Sequence, residues 1–429
     1  MSNREKVFLV GVVSGEGSKE HFAESMDELR KLADTAYCTI IQTFSQALTR
    51  PKTATYIGSG KLQEIKRSAS VSHVHTLIFN NNLSPSQSRN ISDVTGCNVV
   101  DRTELILDIF AGHAKTKQAK LQVELAQLEY AYTKLKNKWK HLSRIQGGIG
   151  FRGPGETQIE IDRREINKKT TTLKKRIKTI EQVSVTKRNR RKNLISIALV
   201  GYTNAGKSTL FNRLTSERRY VADRLFATLD SKTRALRSEM KEKLVVTDTI
   251  GFIRKLPHRL VSSFHTTLLE VLEADLLLHV VDVSHPRLYE LIYAVDSVLK
   301  EIKVETKNIL IVFNKIDKVS GNYYKFKKKE LMIKYPDSVF ISAKNGEGLE
   351  KLQAKIEEFV QKSKINTELH IPAELPNLLS FLHKNAEIEV SEFRDTTKTF
   401  LVKLKISGQL LEGVKKQIAD YKLLKYINK

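Results

Sequence analysis

The sequence predicts an α/β protein. A doubly wound sheet domain is preceded by a smaller α/β domain and a long antiparallel helical hairpin, and followed by a small α+β domain. Three observations lead there. Short apolar runs alternate with helical patterns over 6–101 and again from 194. Between them a heptad repeat replaces that rhythm. A chain of 429 residues also exceeds what a single core holds, so several domains are expected.

In 1–101, "KVFLVGVV", "YCTIIQTF", "VHTLIF" and "NVVD" read as strands, with "SKEHFAESMDELRKLADTA" and "SPSQSRNISDVTG" as helices between them. Such alternation builds a small parallel sheet. In 102–193, Leu121, Leu125, Leu128, Tyr132, Leu135, Trp139 and Leu142 step alternately by four and three, which is one side of a coiled-coil seam. Ile159, Ile166, Leu173 and Ile180 then recur every seven residues, with Thr170 and Ile177 between. "GFRGPGETQIE" separates the two repeats, and Gly150, Gly153, Pro154 and Gly155 interrupt any helix there. One helix goes out, a stiff tip turns the chain, and a second helix returns. From 194 to 365, "LISIALVGY", "KLVVTDT", "LLLHVVDV", "NILIVFN" and "SVFISA" read as the strands of the doubly wound sheet. In 366–429, "TFLVKLKIS" turns Phe400, Val402, Leu404 and Ile406 to one side, pairs with "AEIEVSEF", and is followed by a helix: a β-β-α unit.

The formal charge is +25. Over 113–193, Lys and Arg number 22 against 7 Asp and Glu, so the hairpin carries +15 of that excess. Lys–Glu pairs at four-residue spacing cannot neutralise so one-sided a surface, and a polyanion, nucleic acid above all, is the expected partner. Cys38 and Cys97 are the only cysteines, too few for a disulfide framework and in keeping with a reducing compartment. "MSNREKVFLVGVV" has too short an apolar run for a signal peptide, and "ADLLLHVVDV" is about half a membrane span. A soluble cytoplasmic protein is expected.

"GYTNAGKST" follows the strand "ISIALV" directly. It fits G-x-x-x-x-G-K-[ST], the loop whose backbone N–H groups wrap phosphate oxygens at a helix N-terminus. Gly201, Tyr202, Thr203, Asn204, Ala205 and Gly206 form the cradle, Lys207 reaches the β- and γ-phosphates, and Ser208, followed by Thr209, ligates magnesium. "DTIG" ends the strand "KLVVTDT": Asp248 is placed to hold magnesium through water, and Thr249, Ile250 and Gly251 bring a backbone N–H to the γ-phosphate. "NKID" (Asn314, Lys315, Ile316, Asp317) follows "ILIVF", and the Asp317 carboxylate can accept from guanine N1–H and the exocyclic amine. Adenine offers neither donor, so such a site discriminates strongly. "SAK" (Ser342, Ala343, Lys344) completes the base pocket. Four motifs in this order, each at a strand's C-terminal end, mark a GTP-binding domain.

Within "LFATLD", Thr228 is the threonine expected to order over the γ-phosphate and magnesium, with Phe226, Ala227, Leu229 and Asp230 beside it. The residue after "DTIG" is Phe252, where many GTPases carry a glutamine that orients water. A phenyl ring cannot do this, so intrinsic hydrolysis should be slow and a partner should supply the missing help. Asn204 could help ligate a monovalent cation such as potassium, or simply cap the loop. "YIGSGK" at 56–61 looks phosphate-friendly, but it lacks the second motif residue and reads first as a turn, with a second phosphate contact as the alternative.

These residues resemble the HflX family of ribosome-associated GTPases. The resemblance rests on "GYTNAGKSTLFNRLT", "LFATLD", "DTIGFIRKLPH", "NKID" and above all "GGIGFRGPGETQIEIDRR", with "YIGSGK", "NLSPSQSRNI" and "DRTELILDIFAGHAKTKQAKLQVELAQL" before it. It covers residues 6 to about 365. It implies binding to the large ribosomal subunit and its rRNA, splitting of stalled or stress-arrested ribosomes, and release on hydrolysis. It also implies that the tip, Arg152, Gly153, Pro154, Gly155 and Glu156, approaches the peptidyl-transferase region, with Arg144 among the flanking cations on rRNA. The expected protein is a monomer that uses GTP or GDP and Mg2+, and potassium as a further cofactor, with no membrane attachment. A ribosome-assembly GTPase and a non-catalytic RNA-binding module stabilised by GTP are the alternatives. A membrane-surface regulator fits worse, because the hairpin seam leaves no apolar face to insert.

Overall fold

The computed structural model describes residues 4–14, 19–145, 154–189, 194–215, 226, 231–237, 243–252, 270–302, 304, 308–319 and 321–427. Two compact units result. The first is Met1–Glu181 with the segment holding Phe226; the second contains the GTP motifs and everything C-terminal to them.

In the first unit, β1 (Glu5–Ser14), β2 (Cys38–Leu48), β3 (Thr76–Phe79) and β4 (Asn98–Asp101) form a parallel sheet in the order β2-β1-β3-β4. The helices α1 (Lys19–Thr35), α2 (Ser59–Ser72), α3 (Pro85–Thr95) and α4 (Arg102–His113) alternate with the strands. Phe8, Val10, Leu77 and Phe79 from the sheet bury against Ile65 and Ile91 from the helices. The start of α3 is fixed locally. Ser84 Oγ accepts from Gln87 N at 3.2 Å and the Gln87 side chain accepts from Ser84 N at 2.9 Å, a reciprocal cap. "YIGSGK" runs into α2 instead of forming a separate turn: Gly58 directly precedes the helix and its N donates to Gln46 Oε1 at 2.8 Å, while Ser59, Gly60 and Lys61 open the helix, with Lys61 paired to Glu64 at 2.6 Å.

Two long helices follow, α5 (Lys117–Ile145) and α6 (Pro154–Asn189). Leu121, Leu125, Leu173 and Ile177 form a buried seam, with Leu128 and Ile180 packed against it. Glu129 pairs with Lys174 at 2.8 Å, while further along α5 Tyr132 OH accepts from Arg163 Nε at 2.9 Å. Partners retreat along α6 as α5 advances, so the helices run antiparallel. The side chains of Leu135, Trp139 and Leu142, and residues 146–153 with Arg152 and Gly153, lie outside the described residues. The break in the sequence pattern extends to Gly155, yet α6 begins at Pro154. Proline suits a first helical turn, where its fixed φ is already helical and its missing N–H has no partner to lose.

Asp101 ties the sheet to the hairpin. Its Oδ1 accepts from Glu104 N at 3.0 Å, capping α4. Its Oδ2 accepts from Tyr130 OH of α5 at 2.6 Å and lies 3.1 Å from Lys134 Nζ. Beside it, the buried Arg102 guanidinium donates to Asn80 Oδ1 at 3.0 Å and to Glu28 at 2.5 Å.

In the second unit, β5 (Ile195–Val200), β6 (Lys232–Ala235), β7 (Leu244–Asp248), β8 (Leu276–Asp282), β9 (Asn308–Asn314) and β10 (Val339–Phe340) form a sheet ordered β10-β9-β8-β5-β7-β6. Edge strand β6 alone is antiparallel to its neighbour. Helices α7 (Lys207–Thr215), α8 (Leu288–Glu301), α9 (Gly321–Lys334) and α10 (Leu349–Lys362) join the strands. The last segment differs from the expected β-β-α unit. It is β11 (Lys364–Pro372), α11 (Pro376–Asn385), β12 (Glu387–Arg394), β13 (Thr399–Ser407) and α12 (Gly408–Ile427), with sheet order β11-β13-β12. Polar side chains dominate "KINTELHIP", which hides β11 from a hydrophobic-period reading.

Candidate nucleotide-binding site

The strand β5 is buried along nearly its whole length and delivers the chain to the loop 201–206 at the C-terminal edge of the sheet. Gly201 sits at φ +150 and Gly206 at φ +96, and a Cβ would strike Val280 O at the first and Asn314 Nδ2 at the second. These glycines are required by space as well as by backbone angle. Lys207 opens α7 and is buried; its Nζ donates to Gly201 O at 3.0 Å and to Tyr202 O at 2.8 Å. Burial pushes its pKa down to about 8, with nearby Asp248 opposing and Lys315 adding to the shift. His279 on β8 is pushed down to about 4 by burial and by the charge of Lys207, so it adds no second cation at pH 7.

Ser208 Oγ donates to Asp248 Oδ2 at 2.8 Å, which brings together two of the three expected magnesium residues; the third, Thr228, lies outside the described residues. An alcohol and a carboxylate are hard oxygen donors of the kind Mg2+ takes beside phosphate. The "DTIG" turn is pinned to the loop. Thr203 N donates to Phe252 O at 2.7 Å, Phe252 N to Gly201 O at 3.1 Å, and Thr249 Oγ1 to Leu199 O at 2.6 Å. Ile250 is buried beside it. At Gly251 a Cβ would stand 2.9 Å from Thr203 Cα and 3.0 Å from Lys207 Nζ. Phe252 is itself buried, so its ring belongs to the packing of this turn.

The base-side motifs also converge. Asn314 Nδ2 donates to Ala205 O at 2.8 Å and its Oδ1 accepts from Ala343 N at 2.9 Å, so one buried amide joins the phosphate loop to "SAK". Ser342 Oγ donates to Asp317 Oδ1 at 2.6 Å and accepts from Asn345 N at 3.1 Å, which orients the carboxylate. Ile316, within "NKID", is buried at the start of a short 3-10 turn. Asn204 and Lys315 both hold left-handed backbone, at φ 60 and 66. Thr209 and Tyr202 are half-buried on the loop and helix, and Lys344 is exposed.

Two members were not legible as site residues. Asp282 of β8 pairs with Lys315 at 2.8 Å and holds its ammonium. Arg213 of α7 donates to Ala343 O at 3.1 Å and also to Lys344 O. Neither lies in a recognisable spacing. Ala227, Thr228, Leu229 and Asp230 lie outside the described residues. Phe226 is placed in the first unit, buried at φ 56, with its ring edge-on to Phe110 of α4 at 4.7 Å. Pro154, Gly155 and Glu156 occupy the first turn of α6, and Arg144 the last turn of α5.

Three family models match in sequence: a GTP-binding GTPase N-terminal model over 23–111, a GTP-binding GTPase middle region over 113–191, and a 50S ribosome-binding GTPase model over 196–315. A GTPase HflX of Flavobacterium psychrophilum is 42% identical over 387 residues, spanning 86% of this chain and 92% of its own. The GTPase HflX of Escherichia coli K12 is 40% identical over 368 residues, 85% of this chain and 86% of its own. The chain belongs to the HflX family of GTPases. A crystal structure of a GTP-binding protein from Sulfolobus solfataricus with GDP shares 30% identity, over 83% of this chain and 99% of that one, at a TM-score of 0.46. As an HflX-family member the chain binds GTP and GDP and hydrolyses GTP, and its GTPase domain is of the ribosome-binding kind. Among the described residues, no helix is long and apolar enough to cross a membrane.

Proposed function

We propose that this HflX-family GTPase is a cytoplasmic monomer that binds the large ribosomal subunit in its GTP state. It separates stalled or stress-arrested ribosomes into subunits and leaves after hydrolysis. The hairpin carries this reading. Its seam is closed by leucine and isoleucine, while Lys168, Lys169, Lys175, Arg176 and Lys178 stand exposed along α6. A stiff rod with exposed cations and a glycine–proline end suits docking on rRNA phosphates by shape.

The GTP site supports the chemistry. Backbone N–H groups of 201–206 cradle the phosphates, and Lys207 neutralises charge that builds on the β- and γ-oxygens. Ser208, and Asp248 through water, would hold Mg2+, which supplies charge neutralisation between the same phosphates when bound. Thr228 and Gly251 complete the γ-phosphate contacts, and potassium near Asn204 would add a further charge. Asp317, oriented by Ser342, selects guanine. Phe252 offers no hydrogen bond to an attacking water, so the ribosome supplies that ordering. This limits hydrolysis to the bound state and makes GTP a timer for release.

Co-sedimentation tests the hairpin's part. Replacing Lys168, Lys169 and Lys175 by Glu should abolish pelleting with large subunits in the GTP-analogue state and leave intrinsic turnover unchanged. Full retention of pelleting would refute rRNA docking through α6. A preference for immature over mature subunits would move the chain to ribosome assembly.

A further inference from the structure

The second unit presents a groove remote in sequence from every GTP motif except "SAK". Strand β10 closes one edge of the six-stranded sheet, and α9 and α10 flank it. Between them lies a cavity of about 370 Å³ whose walls include Lys328 and Met332 of α9, Phe340 of β10, and Lys351, Lys355 and Glu358 of α10.

The charges in this groove are unevenly satisfied. Glu358 accepts from Lys362 at 2.6 Å and lies 3.0 Å from Lys355, and the two lysines hold its carboxyl down to about 2. Lys355 also reaches Asp337 at 3.6 Å. Lys328 has no carboxylate partner among the described residues; its ammonium sits 5.3 Å from the centre of the Phe340 ring and 5.8 Å from that of Tyr324. Lys351 has no ion-pair partner among the described residues either. The whole of α9 is basic, with five lysines against one glutamate. Apolar surface accompanies this charge. Met332 is 47% exposed at the rim.

We infer that this groove is a docking site for an acidic peptide segment carrying an apolar anchor residue. Carboxylates of such a segment would meet Lys328 and Lys351, and its anchor would enter beside Met332 and Ala354. A nucleic-acid strand fits less well. Phe340 is buried, stacks on Phe313 at 5.0 Å and is overlaid by Lys328, so it offers no open face on which a base could stack. The floor asks for a side chain, and the charge complement asks for acids.

The test uses the full chain with GDP and a fluorescein-labelled peptide of repeated Asp-Glu-Leu-Phe, followed by anisotropy. The expected Kd is on the order of 10 µM. Lys328→Glu with Lys351→Glu should weaken binding at least about tenfold, and Met332→Gln should weaken it severalfold. A hairpin control, Lys175→Glu with Lys178→Glu, should leave it unchanged. Unaltered GTP turnover in the Lys328/Lys351 variant would show that it is folded. A peptide with Ser in place of Leu and Phe should bind more weakly. The proposal is overturned if the peptide fails to bind, if the hairpin control removes binding, or if the Lys328/Lys351 variant binds normally. It is also overturned if an oligouridylate or an anionic vesicle binds these lysines and displaces the peptide.

Discussion

Lys207 is charged, buried and surrounded by carbonyl oxygens, so it reports on its own environment. Its depressed pKa has a definite linkage sign. Between about pH 8 and its ordinary 10.5, the unfolded chain holds a proton that the folded chain has released. The stability of the nucleotide-free protein should therefore rise with pH across that window, and Lys207→Met should flatten the rise in denaturant titrations. The same substitution should lower GTP turnover about 10²–10³-fold, as when a preorganised charge donor is removed. Gly251→Ala should act sterically, because its Cβ would press on Thr203 Cα and Lys207 Nζ. Overpacking costs about 1–3 kcal/mol, so nucleotide affinity measured with a fluorescent GDP should fall roughly ten- to hundredfold. Most of this site was legible from the residues. Lys207, Ser208, Asp248, Asn314, Asp317 and Ser342 sit in spacings whose chemistry is known, and the structure brings them together. Asp282 and Arg213 escaped because their roles depend on which strand neighbours which loop, and no local spacing encodes that.

At the level of elements, the carboxylate of Asp101 does three jobs: it caps α4, accepts from Tyr130 and pairs with Lys134. Tyr130→Phe removes one donor and leaves a fully buried acceptor short, which should cost about 1–3 kcal/mol in thermal or denaturant melts. Leu173→Ala opens the hairpin seam and should cost about 2–5 kcal/mol, read as lost helicity by circular dichroism. The seam itself was plain in the heptad spacing, since the period that buries Leu121 and Leu125 is the period of the sequence. The start of α6 was not. Glycines on both sides of Pro154 look like a break, and only the preference of proline for a first turn argues otherwise. Strand β11 was missed for a different reason: it is an edge strand with few buried positions, and its pairing with β13 decides its conformation.

For the molecule as a whole, charge and topology point the same way. A hairpin carrying +15 of the +25 belongs to an HflX-family GTPase whose second motif is followed by a buried phenylalanine. Binding through rRNA phosphates should be steeply salt-dependent. With about six to ten phosphate contacts, affinity for large subunits should drop roughly 10³–10⁵-fold between about 50 and 200 mM salt. The fold class was legible at this scale because strand–helix rhythm, heptads and motif order each mark a separate segment. In the proposed function the ribosome completes a hydrolytic site that Phe252 leaves incomplete, and hydrolysis follows subunit separation. This is tested most directly by GTP turnover in potassium buffer, with and without mature ribosomes, while light scattering follows separation in the same tube. Turnover should be slow alone and rise by about 10³-fold or more with ribosomes, and scattering should begin to fall before phosphate appears. Fast turnover without ribosomes, or stimulation with unchanged scattering, would contradict the proposed function.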